Sequence, residues 1–153
     1  MCYHTALVAQ PHQLALRFGR EFDRIEDFRP TYHVSAFAHT EYPIITVDPH
    51  IQFFRWGLIP FWTDTLEDAI AIRNRAINAR SETIFSKPSF REPIRKKRCL
   101  VPASGFFDWR HEGDQNIPYY ITVHDRPIIA FAGIFDCWHN KELDEYVGTY
   151  SII

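Results

Sequence analysis

Cysteine is scarce in this chain of 153 residues and odd in number: Cys2, Cys99 and Cys137, none in CxxC spacing. That excludes a disulfide framework and a structural zinc site. The eight histidines contain no HExxH or other ligand spacing, so no metal or other cofactor is expected. There is no cationic excess either. The formal net charge is −2, so any site for an anion is a local patch and not a global field. No apolar run approaches membrane-spanning length, and MCYHTALVAQPHQ lacks the basic start and sustained apolar stretch of a secretory signal. A reducing cytosol and no membrane partner follow as expectations. No repeat or low-complexity linker divides the chain, which is long enough for one domain with a real core. It ends on the apolar run TYSII without a turn, cap or polar tail. The expectation is a domain over 1–153 whose next element is missing.

What is abundant is aromatic: thirteen Phe, four Trp and seven Tyr make 16% of the chain, enough both to fill a core and to offer flat surfaces for stacking. Residues 10–19 predict a short helix ended by Gly19, and 20–31 a loop. YHVSAF (32–37), PIITV (43–47) and IQFFRWGLI (51–59) read as strands, the last stopped by Pro60. TLEDAIAIRNRAI (65–77) predicts a helix with Thr65 as cap, Glu67 and Asp68 in its first turn and Arg73 and Arg75 near its end. Residues 78–98 are polar and basic, with any helix broken by Pro88 and Pro93. Five strand-like runs then follow: RCLVPA, GFFDWRHE, PYYITV, IIAFAGIFDCW and YVGTYSII. EGDQN (112–116) and HDRP (124–127) join them as hairpin-like connections. The fold class expected is α+β: a largely antiparallel, curled or barrel-like sheet with peripheral helices.

Four groups of residues are candidates for chemistry or binding. Once Met1 is removed, Cys2 presents an α-amine and a thiol on adjacent carbons. Both are partly nucleophilic near neutrality, with reference pKa values of about 8 and about 8.5. The amine condenses with an aldehyde and the thiol closes on the imine carbon, leaving a five-membered thiazolidine. The same group can instead attack an amide. Taken alone, the opening four residues favour a chance residue on a frayed end. In NARSET, Asn78 and Arg80 lie two apart, so on an extended segment they point the same way, with Glu82 next in the alternation. Asn offers a donor and an acceptor, Arg a forked cation suited to phosphate; a polar loop would use the same residues. Asp108 sits in the aromatic run GFFDW, solvated if its face is outward, a carboxylate of raised pKa if inward. Periodicity does not settle its phase. Gly105 before it implies a close backbone approach or a bulge. The basic stretch Arg91–Arg98 with Trp56, Phe61 and Trp62 pairs cations for phosphates with rings for bases, or is a solvated charge run. Cys99 and Cys137 are expected to be buried and inert.

Met-Cys at the start, WGLIPFW, NARSET, RCLVPASGFFDW, PYYI and FAGIFDCW, in this order, resemble the SOS-response-associated peptidase family over the whole chain. Each motif is modest alone; the ordered set is specific. The resemblance implies a bacterial, nucleoid-associated abasic-site processing protein acting in the DNA damage response. It would work as a monomer without a cofactor on single-stranded DNA containing abasic sites. It implies that Cys2, freed of Met1, crosslinks the ring-opened sugar as a thiazolidine. Asn78 would position the sugar or amine, Arg80 would hold a flanking phosphate, and Asp108 would move protons. Phe61 and Trp62 would stack beside the lesion, with His4 and Arg98 as further DNA contacts. Three departures stand out. The family often begins MCGR, so here His4 replaces an arginine. Its acid is commonly Glu, one methylene longer than Asp108. Its downstream His in an HxR motif has no counterpart before Ile153, since neither His124 nor His139 has that context. Two other readings of the residues remain: an N-terminal cysteine peptidase or amidohydrolase, and a non-covalent single-strand binding module.

Overall fold

The computed structural model describes residues 1–153. Nine strands and three helices follow in order. They are β1 (His4–Leu7), α1 (Pro11–Phe18), β2 (Thr31–Ser35), β3 (Glu41–Ile45), β4 (Ile51–Trp56), α2 (Leu66–Arg75), α3 (Pro93–Lys96), β5 (Arg98–Ala103), β6 (Gly105–Glu112), β7 (Gln115–Ile121), β8 (Ile129–Asn140) and β9 (Glu145–Ile152). The architecture is α+β, as expected. Five strands close a barrel in the order β3-β4-β9-β8-β5, and the other four form a separate sheet, β2-β1-β6-β7. Every pairing is antiparallel except β4 with β9, where Arg55 faces Thr149 and Trp56 faces Tyr150. No helix is long and apolar enough to cross a membrane.

The apolar alternation of the strands builds the barrel core. Ile44, Ile51, Trp56, Val101 and Tyr150 are all buried there, and the rings of Trp56 and Tyr150 stack at 5.8 Å. Each of the aliphatic side chains among them contributes about 1.5–3 kcal/mol on leaving water. Outside the barrel, Ile134 packs with Leu58, Ala76, Ile84 and Phe90, fixing the stretch after α2 against β8.

Local chemistry sets the element ends. Gly19 closes α1 in the left-handed region at φ 64, and Thr65 caps α2 by accepting from the Asp68 N–H. β4 stops at Trp56 and does not run to Ile59. Gly57 takes φ 107 and lies where a Cβ would meet the Arg73 carbonyl oxygen at 2.8 Å, so the chain turns out of the sheet and Ile59 N–H donates to Thr149 Oγ1 at 2.8 Å. Residues 36–38 leave β2 as a turn of 3-10 helix. Pro93 begins α3 and breaks nothing, because the first helical position needs no N–H donor. EGDQN is a hairpin turn with Gly113 at φ 59. HDRP is not a hairpin between paired strands: Val123 bridges Arg126, and the chain passes there from the open sheet to the barrel. Cys99 is buried, as expected, but Cys137 is exposed. Its cross-strand partner is Gly148, which has no side chain to cover it.

Candidate functional site

Position 2 is not frayed. β1 begins two residues later and lies between β2 and β6, pairing Thr5 with Val34 on one side and with Phe106 on the other. Tyr3 is held as well, its carbonyl accepting from Ala36 N–H at 2.9 Å. Cys2 is therefore half-buried at the rim of the barrel, packed against its apolar core. The opposite wall comes from the segment after α2. Ala79 N–H donates to the Ile152 carbonyl at 2.7 Å, and Ile152 N–H donates to that of Ile77 at 3.2 Å. The end of β9 thus pins residues 77–79 in extended form. That pinning aims Asn78, whose Nδ2 donates to the Cys2 carbonyl at 2.9 Å.

Between these walls opens a cleft of about 690 Å³ that takes in Cys2, Asn78, Arg80, Glu82 and Asp108. Its apolar side is Phe106 from the open sheet, edge-on to Phe131 from the barrel at 5.7 Å. The alternation seen in NARSET holds from Asn78 to Arg80 and then ends. Thr83 N–H donates back to the Arg80 carbonyl at 3.1 Å, so the chain turns and presents Ser81, Glu82 and Thr83 to the cleft together. Asp108 is exposed on β6 yet lines the cleft, one carboxylate oxygen accepting from Trp109 N–H at 2.9 Å. Gly105 is a close approach, as expected: a Cβ there would meet the Ile121 carbonyl oxygen at 2.6 Å. Met1 lines the cleft too.

Burial pushes the Cys2 thiol above its ordinary pKa; the His4 backbone bond and the nearby chain terminus act the other way, and the Asp108 carboxylate adds to the rise. The thiol is thus kept protonated, with Sγ donating to the His4 carbonyl at 3.5 Å. A reaction that consumes it must take that proton away, and Asp108 is the charged acceptor whose field already reaches the sulfur.

The remaining candidates lie elsewhere. His4 lines a second groove that adjoins the cleft through Met1, Phe107 and Asp108. Phe61 and Trp62 are exposed on the loop after β4, outside both cavities. That loop is tied down by Asp136, which is 1% exposed and accepts from Phe61 N–H at 3.0 Å and from Lys97 Nζ at 2.5 Å. Lys97 also lies over the Phe61 ring at 5.4 Å. Arg98 is exposed on β5, away from the cleft. His124 and His139 are outside it as well, the latter paired with Asp144 at 2.9 Å. Phe131 and Ile152 line the cleft with no local signal in the sequence, because each reads as an ordinary strand residue until the barrel closes.

The profile of the SOS response associated peptidase (SRAP) family matches residues 1–153. The chain is 35% identical over 150 residues to the abasic site processing protein YoqW of Bacillus subtilis (strain 168), across 93% of this chain and 63% of that protein. It is 30% identical over 156 residues to the abasic site processing protein HMCES of Gallus gallus, across 82% of this chain and 46% of that one. The chain thus spans about two thirds or less of these relatives. A solved structure from Bacteroides thetaiotaomicron matches with a TM-score of 0.95 and 51% identity, across 99% of this chain and 67% of the other.

Proposed function

Because the chain belongs to the SRAP family, we propose that it processes abasic sites in single-stranded DNA by trapping them on Cys2. The observation that carries this reading is the convergence of Cys2, Asn78, Arg80 and Asp108 on one cleft, with Asn78 bonded to the cysteine's own carbonyl. With Met1 gone, its place in the cleft is free and the Cys2 nitrogen becomes an amine. The amine adds to the aldehyde of the ring-opened sugar, and loss of water gives an imine. The thiol then adds to the imine carbon, its proton leaves through Asp108, and the nitrogen is protonated in turn. The net change is aldehyde plus aminothiol to thiazolidine plus water. Arg80, exposed at the cleft mouth, is suited to a phosphate beside the lesion. Phe61 and Trp62 offer rings to bases farther along the strand.

Intact mass spectrometry before and after mixing with a single-stranded oligonucleotide bearing one abasic site tests this. The expected product has lost Met1 and gained one oligonucleotide minus water. Loss of Met1 with no adduct refutes the trap. An adduct that persists in Cys2→Ala moves the chemistry to another residue. Turnover of amide substrates without DNA would favour a peptidase, which needs an oxyanion site as well as the thiol.

A further inference from the structure

We propose that His33 positions His4, and that the two imidazoles together form one acid-activated binding group for a DNA backbone phosphate beside the cleft. This rests on the reading of the cleft as a DNA site. His4 on β1 and His33 on β2 face each other across an antiparallel pair, with His4 Nδ1 and His33 Nε2 2.9 Å apart. Their rings stack at 5.0 Å. Trp109 meets His4 edge-on at 4.9 Å, and Phe107 meets His33 edge-on at 5.5 Å. One aromatic ring thus flanks each imidazole of this exposed pair.

A bond between two imidazole nitrogens holds one proton, donated by one ring and accepted by the other. Each ring keeps one further nitrogen. A single added proton there makes the pair a cation and strengthens the bond, since one partner is now charged. A second proton would put like charges 2.9 Å apart and is opposed. The pair therefore behaves as one cation at most. Burial and the neighbouring His33 both hold His4 below the ordinary imidazole pKa, so that ring is neutral at pH 7.

The charges around it decide what this does. No Lys or Arg lines the groove that holds His4. Asp108 and His111 from β6 face it, with Met1 at its edge, and the Cys2 thiol bonds the His4 carbonyl. On the far side of His33, a separate cavity brings Asp27, Arg29 and Glu41. At neutral pH the Asp108 carboxylate disfavours a phosphate in the groove. One proton on the pair offsets that charge and leaves both outer imidazole nitrogens as N–H donors for a phosphate oxygen. His111 is occupied by its own bond to Asn116.

The test is fluorescence anisotropy of the full chain carrying Cys2→Ala, with a single-stranded oligonucleotide holding a tetrahydrofuran abasic analogue, between pH 7.5 and pH 5.5. The expected Kd tightens about 3–10-fold over that range, bounded by one proton taken up on binding. The salt slope steepens by about 0.7, one single-strand phosphate. His4→Gln, His33→Gln and the double variant each flatten the pH dependence equally, while His111→Gln leaves it. Imidazole NMR of the free protein should show the pair gaining one proton, not two. A slope unchanged in His33→Gln, or two protons taken up, overturns this inference and leaves the DNA site standing. No binding at any pH overturns both.

Discussion

Replacing Asn78 by alanine removes one donated bond and little else. Nδ2 donates to the Cys2 carbonyl at 2.9 Å in a half-buried setting. Such a neutral bond contributes about 0.5–1.5 kcal/mol net. If it holds the reacting residue in place for the transition state, its loss slows adduct formation about 2–13-fold, at tenfold per about 1.4 kcal/mol. The fold should survive, because the backbone bonds of Ile77 and Ala79 to Ile152 do not involve the side chain. A melting shift of about 2–4 °C per kcal/mol is the ceiling for a chain of this size. The assay is single-turnover crosslinking to an abasic oligonucleotide, with Met1 absent, read on a denaturing gel. Asn78→Asp keeps the shape but turns an acceptor toward an acceptor, and should be slowed at least as much. An unchanged rate in Asn78→Ala, or recovery by Asn78→Asp, refutes the reasoning.

Cys2→Ala should bind single-stranded abasic DNA yet form no denaturant-stable adduct. Asp108→Asn removes a negative charge that raises the Cys2 pKa, so thiol alkylation should gain its half-maximal rate at lower pH than in the unsubstituted chain, while crosslinking slows for want of a proton acceptor; a midpoint that stays or rises contradicts this. Gly148→Ala drives a Cβ to 2.3 Å from the Phe54 ring, and urea unfolding should show a loss of about 1–3 kcal/mol. Asp136→Ala leaves the Phe61 N–H and the partly exposed Lys97 without their carboxylate and should cost about 1–3 kcal/mol, read by urea unfolding.

Several elements were legible because their causes are local. Gly19 and Thr65 punctuate α1 and α2 by backbone conformation and a side-chain cap, which a few residues decide. The strand-rich second half follows from alternation and turn residues. Gly57 was not legible as the end of β4, since the constraint is the Arg73 carbonyl on a distant helix. Cys137 read as buried because its strand is apolar, and is exposed because Gly148 lies opposite. The open question of Asp108 was a question of phase, and only the pairing of β6 between β1 and β7 answers it.

The sequence alone determined which chemical groups this protein has: an aminothiol precursor at position 2, an amide and a guanidinium two apart, and a carboxylate among aromatic rings. Those depend on residue identity and short spacing. That residues 2, 78 and 108 meet was decided by the tertiary structure. β1 enters the sheet from the chain start, β6 pairs beside it, and Ile152 at the far end of β9 pins Asn78 against Cys2. Contacts across such separations come from strand pairing and barrel closure, and these minimise exposed backbone and apolar surface over the whole chain at once.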